Sequence, residues 1–186
     1  MIIRKAEASD APSIATYLLL AMEDIIYEFI GQHNHESAKS FLLHFVEKAN
    51  NQYSFQNCFV AEDNGEVIAA INIYDGAKLH KLREPVAQYI NTHFYKDFNP
   101  EDETQAGEYY IDSFGVNPNH QGKGIGAKML QYVIETYVHQ HGHSVGLLVD
   151  EDNPNAERLY LKLGFKSVGE KILVGKQMSH LQVNPE

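Results

Sequence analysis

Residues Asn117 to Ala127 read NPNHQGKGIGA, three glycines at alternate positions ahead of an apolar run with helical spacing. A helix start presents unpaired backbone N–H groups and the positive end of a dipole, so a loop whose glycines clear the approach suits a phosphate. The flanking residues decide which one. No Gly-Lys-Ser/Thr ending is present, so a nucleoside triphosphate loop would lack its magnesium-binding hydroxyl. Gly122-x-Gly124-x-x-Ala127 does satisfy the dinucleotide fingerprint, and Asp150 closes the next strand where a ribose-binding acid is wanted. Against that reading, NPNHQ separates Val116 from Gly122, and no second nucleotide-binding half follows.

Other chemistry-bearing residues carry less. His139, His141 and His143 are spaced by two, whereas helical metal ligands need three or four, and a helix C-terminus favours histidine through its dipole. No metal is expected. Cys58 opens a strand and reads as a small buried hydrophobe. The acidic PEDE at 100 to 103 reads as a solvated loop that could attract a cation.

The elements that must position these residues follow from pattern. Ile2 to Ala6 is a short strand, and Ser9-Asp10-Ala11-Pro12 supplies a cap and a first-turn proline. Helical spacing follows at Ile14, Leu18, Met22, Ile25, Ile26 and Phe29, and again at Phe41, Leu42, Phe45 and Val46. CFVAED and EVIAAINIY flank Asn64-Gly65, a strong hairpin signal. Residues 76 to 106 form a partly helical insertion ending in a mobile loop, where acceptor choice is expected to reside. EYYIDSFGV is a strand, Met129, Leu130, Val133, Ile134, Tyr137 and Val138 make a helical face, and SVGLLVD is a buried strand. A short helix from about Asn155 to Leu163 is stopped by Gly164, and FKSVGE and KILVGK finish as two strands. The expectation is an α/β or α+β domain over residues 1–178 around a mixed sheet, with 179–186 as a frayed tail.

Gln121 joins the glycines in Gln121-Gly122-Lys123-Gly124-Ile125-Gly126, which matches the pyrophosphate signature Q/R-x-x-G-x-G/A. Here the sequence resembles the GCN5-related N-acetyltransferase (GNAT) family. GVNPNHQGKGIG matches its strand, turn and loop, NPNAERLYLKLGF its second cofactor-contacting segment, and the hairpin its second and third strands. The resemblance implies the GNAT fold, a mostly antiparallel sheet whose middle strands splay between flanking helices. It also implies direct acetyl transfer from acetyl-CoA to a primary amine of a small molecule or peptide.

On that resemblance, the amides of Gly122, Lys123, Gly124, Ile125 and Gly126, with Gln121, hold the CoA pyrophosphate. Backbone groups along Phe114, Gly115 and Val116 pair with the pantetheine arm, and a β-bulge N–H polarises the carbonyl. Asn155 binds the same arm or caps its helix. Tyr160 falls where the family keeps a general acid. The base candidates are Glu108 and Asp112, four residues apart and so on one face of a strand, with Asp112 nearer the cleft.

The bulk numbers bound these readings. A chain of 186 residues, 44% hydrophobic, supports one core. A net charge of −10 argues against a nucleic-acid partner and favours a cationic one. One cysteine, no secretory start and no apolar run of about 18 residues lead to the expectation of a soluble cytoplasmic protein without a membrane partner. Family likeness implies a homodimer through the C-terminal strands. Two rival functions stay open, a non-catalytic acyl-CoA sensor of this fold and an NAD-dependent oxidoreductase.

Overall fold

Pro12 starts the first long helix, α1 (Ala11–Ile30), in the turn where a missing N–H costs nothing. Asp10 precedes it without capping it, because Arg4 of strand β1 (Ile2–Lys5) takes its carboxylate at 2.7 and 2.9 Å. The helix bends at Met22, whose φ of −136° and ψ of 21° leave the helical region. Helix α2 (His35–Val46) is capped by Asn34, which accepts from Ser37 N at 2.8 Å. Strands β2 (Cys58–Asp63) and β3 (Glu66–Asp75) turn through Asn64 and Gly65, both at positive φ as a two-residue hairpin requires. Helix α3 (Leu79–His93), strand β4 (Glu108–Val116), helix α4 (Ile125–Ile134) with a π turn over Glu135–Gln140, strand β5 (Ser144–Asp150) and helix α5 (Pro154–Lys162) follow. Strands β6 (Lys166–Leu173) and β7 (Lys176–Val183) complete the computed structural model, which describes all 186 residues.

The seven strands form one sheet in the order β1-β2-β3-β4-β5-β7-β6. Only β4 and β5 pair in parallel. One face of the sheet is covered by α1, α2 and α3 through a core that includes Ile14, Leu18, Phe41, Val86 and Ile90. The other face is covered by α4 and α5 through Met129, Leu130, Val133, Ile71 and Phe165. This is an α+β fold with a mixed, mostly antiparallel sheet.

Three expectations need correction. Residues 179–183 belong to β7, with His180 4% and Leu181 0% exposed, so the tail is an interior strand up to Val183. FKSVGE and KILVGK do not make two strands: β6 runs through both, and the turn is at Val174 and Gly175, both at positive φ. The segment that closes the insertion is tied down rather than loose, since Arg83 donates to the carbonyls of Pro100 and Glu101 at 3.2 Å each.

Candidate active site

Strands β4 and β5 begin as neighbours and then part. Their register runs from Glu108↔Ser144 to Ile111↔Leu147 and ends there. Beyond it β4 stays with β3 as far as Ala69↔Val116, while β5 stays with β7 as far as Asp150↔Met178. The β5-facing edge of β4 beyond Ile111 therefore has no strand partner. A cavity of about 1270 Å³ occupies this opening, walled by both strands, the glycine loop, α5 and the bent part of α1 from Leu20 to Ile25.

The loop at one end is shaped by backbone. Gly122 and Gly124 both sit at φ +75°, a region costly for side chains, and a Cβ at either would meet nothing within 4 Å. Gly126 differs: it lies in the helix, where a Cβ would approach the Phe114 ring at 3.1 Å. The first internal bond of α4 is Lys128 N to Gly124 O at 3.1 Å, which leaves the N–H groups of Ile125, Gly126 and Ala127 without helical partners. Gln121 reaches back to Val116 O at 3.4 Å, and the Lys123 ammonium folds onto Asn119 O at 3.1 Å. The site suits an anion through main-chain donors. The dinucleotide reading fails on topology, because the strand that precedes this loop pairs antiparallel to β3 in a mostly antiparallel sheet.

Asp112 stands where β4 bulges. Asn72 faces Ser113 and Ile73 faces Ile111, so Asp112 is the extra residue. The added residue changes the phase of the strand: Tyr109 and Ile111 pack towards α4 before it, Phe114 and Val116 after it. The Asp112 carboxylate, on the cavity wall, accepts from Gln52 Nε2 at 2.7 Å and lies 3.0 Å from the Tyr74 hydroxyl. Burial, and then the carboxylate of Glu103, push its pKa up to about 7. Glu103 lies 3.1 Å from the same hydroxyl and 3.2 Å from the Arg83 guanidinium. Beside the bulge, the buried Asn72 Oδ1 and Ser113 Oγ have no hydrogen-bond partner.

The remaining candidates separate. Tyr160 faces the cavity from α5, packs on Phe165 at 5.8 Å between centroids, and has its pKa pushed up to about 12 by burial. Asn155 also lines the cavity, and it is not the helix cap, because Asn153 takes that place by accepting from Ala156 N at 3.2 Å. Glu108 shares a face with Asp112 but lies outside the cavity. Its carboxylate accepts from Thr104 at 2.7 Å and Gln182 at 2.6 Å and meets His180 Nε2 at 2.8 Å. Burial raises its pKa less than the bonds from His180, Thr104 and Gln182 lower it, and the net direction is down. Residues that sequence reading missed are Gln52, Tyr74, Arg83 and Glu103. The only local trace of them is Glu103 within the acidic PEDE.

Comparison with known proteins adds an independent line. The family model described as Acetyltransferase (GNAT) family matches residues 19–165. The chain is 30% identical over 79 residues to a spermine/spermidine N(1)-acetyltransferase of Bacillus subtilis (strain 168), covering 42% of this chain and 52% of that protein. It is 39% identical over 62 residues to the N-alpha-acetyltransferase RimI of Mycobacterium tuberculosis, covering 33% of this chain and 37% of that one. The chain thus spans about half the length, or less, of the curated relatives it matches. A crystal structure of an acetyltransferase superposes with a TM-score of 0.82 at 28% identity over 100% of both chains. An N-acetyltransferase from Staphylococcus aureus Mu50 shares the fold, with a TM-score of 0.84 at 24% identity over 98% of this chain and 100% of that one.

Proposed function

Because this chain belongs to the acetyltransferase (GNAT) family, we propose that it is an N-acetyltransferase that uses acetyl-CoA to acetylate a primary amine of a small molecule or peptide. The observation that carries this reading is the single cavity that Asp112 and Tyr160 face from opposite strand and helix walls, with the glycine loop at its rim. Its volume of about 1270 Å³ exceeds what one small ligand needs and suits two.

The residues present fit acetyl-CoA. The N–H groups of Ile125, Gly126 and Ala127, the positive-φ glycines and Gln121 would hold its pyrophosphate. The unpaired edge of β4 along Phe114, Gly115 and Val116 would take an extended arm, and Asn155 offers an amide to it. When bound, acetyl-CoA supplies an acetyl thioester open to attack by an amine.

The chain's own groups then handle protons. Asp112, with its carboxyl at about 7, is ionised in part at neutral pH and accepts a proton from the acceptor's ammonium. Tyr160 at about 12 stays protonated and donates to the departing sulfur, whose ordinary pKa is roughly 8.5. An ammonium and a thioester become an amide, a thiol and one released proton. Asp24 of α1 lines the same cavity, is exposed and makes no ion pair, which favours a cationic acceptor. Strand β6 leaves an open sheet edge with Val168 and Ile172 exposed, which supports pairing of two copies there; light scattering that reads the 21.1 kDa of one chain would overturn that pairing.

Thermal melting tests the reading, followed with an external dye since the chain has no tryptophan. Acetyl-CoA at about 100 times its Kd should raise Tm by roughly 5 to 10 °C, and NAD should not. Tyr160→Phe should keep that rise and lower the rate of CoA thiol release about 100-fold or more. A rise with NAD alone would defeat the proposal, and a rise with acetyl-CoA but no thiol release on any amine would mark a sensor.

A further inference from the structure

The insertion delivers a carboxylate to the interior. Arg83 of α3 binds the Pro100 and Glu101 carbonyls and meets the Asp102 and Glu103 carboxylates at 3.4 and 3.2 Å. At the other end a Cβ on Gly76 would lie 2.1 Å from Gln105 O, so the beginning and end of the insertion touch without room for a side chain. Between these two anchors Glu103 points inward and is 4% exposed.

Glu103 Oε1 and Asp112 Oδ2 flank the same two donors. The Tyr74 hydroxyl lies 3.1 Å from the first and 3.0 Å from the second. Gln52 Nε2 lies 2.5 and 2.7 Å from them and 3.2 Å from that hydroxyl. The amide has two protons and the phenol one, so with both carboxylates ionised these five contacts share three protons. One further proton between Asp112 and Tyr74 fills a fourth contact and removes a repulsion between like charges. Arg83 bonds Glu103 and not Asp112, so it works against the upward push that burial gives the Glu103 carboxyl and leaves Asp112 the better carrier of the shared proton.

We propose that Glu103 is a positioning residue for the proton step, sharing a single proton with Asp112 across the Tyr74 hydroxyl and the Gln52 amide. The inference rests on the reading of Asp112 as the base. The other titratable groups near Asp112 are Tyr53, Cys58 of β2, Tyr74 of β3 and Tyr110 of β4, and burial pushes all four up, so they stay neutral. Glu23 and Asp24 of α1 and Tyr160 of α5 face the same cavity. Glu103 and Arg83 are the charges that bear on Asp112, the first raising and the second lowering its proton affinity. A protein lacking this insertion would have to set its base by other means.

The test is a carboxyl-carbon NMR titration of the free full-length protein labelled at aspartate, together with the pH profile of kcat/KM. Glu103→Gln should lower the Asp112 midpoint by about one pH unit or more, and the acid limb of the rate profile should follow. The double variant Arg83→Met/Glu103→Gln removes the buried pair together, leaves no orphaned charge if the single variant misfolds, and should lower the midpoint by less. A midpoint unmoved in the variants that fold overturns the sharing. A midpoint that falls while the acid limb stays put upholds the sharing and overturns Asp112 as the base.

Discussion

Replacing Asp112 by asparagine should stabilise the protein and silence it together. In the folded chain the carboxyl rises from its ordinary 3.8 to about 7, so the folded state binds that proton more tightly than the unfolded chain does. Stability tied to this proton is complete below the unfolded value and is lost as pH rises towards the folded one. At about 1.4 kcal/mol per pH unit the full interval corresponds to on the order of 4 kcal/mol. Asp112 lies on a cavity wall open to water, which roughly halves the figure to about 2 kcal/mol. Asparagine resembles the protonated acid and can still accept from Gln52, so it escapes this loss. For a chain of this length the gain amounts to about 4 to 8 °C in Tm at pH 8, shrinking to nearly nothing at pH 4. Circular dichroism melts of both proteins at the two pH values read it directly, and the rate of thiol release should fall at least about 100-fold. A variant less stable than the parent by the same amount at both pH values would refute the reasoning, because the carboxylate would then be a support and not a strained base.

Two further substitutions probe the frame around it. Glu108→Gln keeps the shape of a buried acceptor but removes the charge that strengthens its bonds to Thr104, His180 and Gln182. It should cost about 1 to 3 kcal/mol above pH 5, with the deficit fading as pH falls through the lowered Glu108 pKa and with kcat within about threefold of the parent; a selective loss of kcat would make Glu108 the base instead. Gly115→Ala would set a methyl 1.9 Å from Tyr17 O, which backbone cannot yield cheaply, so α1 must withdraw from β4. The expected cost is about 1 to 3 kcal/mol with weaker acetyl-CoA binding, and an unchanged melt would show that the helix can shift freely.

Much of this architecture was legible because its signals are local. The Asn64-Gly65 hairpin, the glycine loop ahead of α4, and the strand and helix that carry Asp112 and Tyr160 each announce themselves within a dozen residues. Glu103 did not, because its burial depends on Gln52, Tyr74, Arg83 and Asp112, brought from four separate elements, and in sequence it sits in a run that reads as solvated. The bend at Met22 was also hidden, since the apolar spacing of α1 continues through it. FKSVGE and KILVGK read as two strands, whereas one strand passes through both and the chain turns at Val174 and Gly175. Asn155 read as a ligand of the pantetheine arm or a cap, and the geometry gives the cap to Asn153 and leaves Asn155 to face the cavity.

The bulge at Asp112 takes one residue of β4 out of the ladder and gives it to the cavity. Ile111 and Ser113 oppose consecutive residues of β3, so the ladder counts past Asp112 and the side chains before and after it both keep to the α4 layer. A substitution at position 112 alters chemistry and leaves this count intact. A deletion there would close the bulge into an unbroken ladder, with Phe114 and Val116 still towards α4 and Gly115 still against Tyr17, and would take away the carboxylate and the local kink. The residue proposed to take the proton is therefore the one that the pairing of β4 with β3 does not use, so the register of the strand is independent of the chemistry it carries.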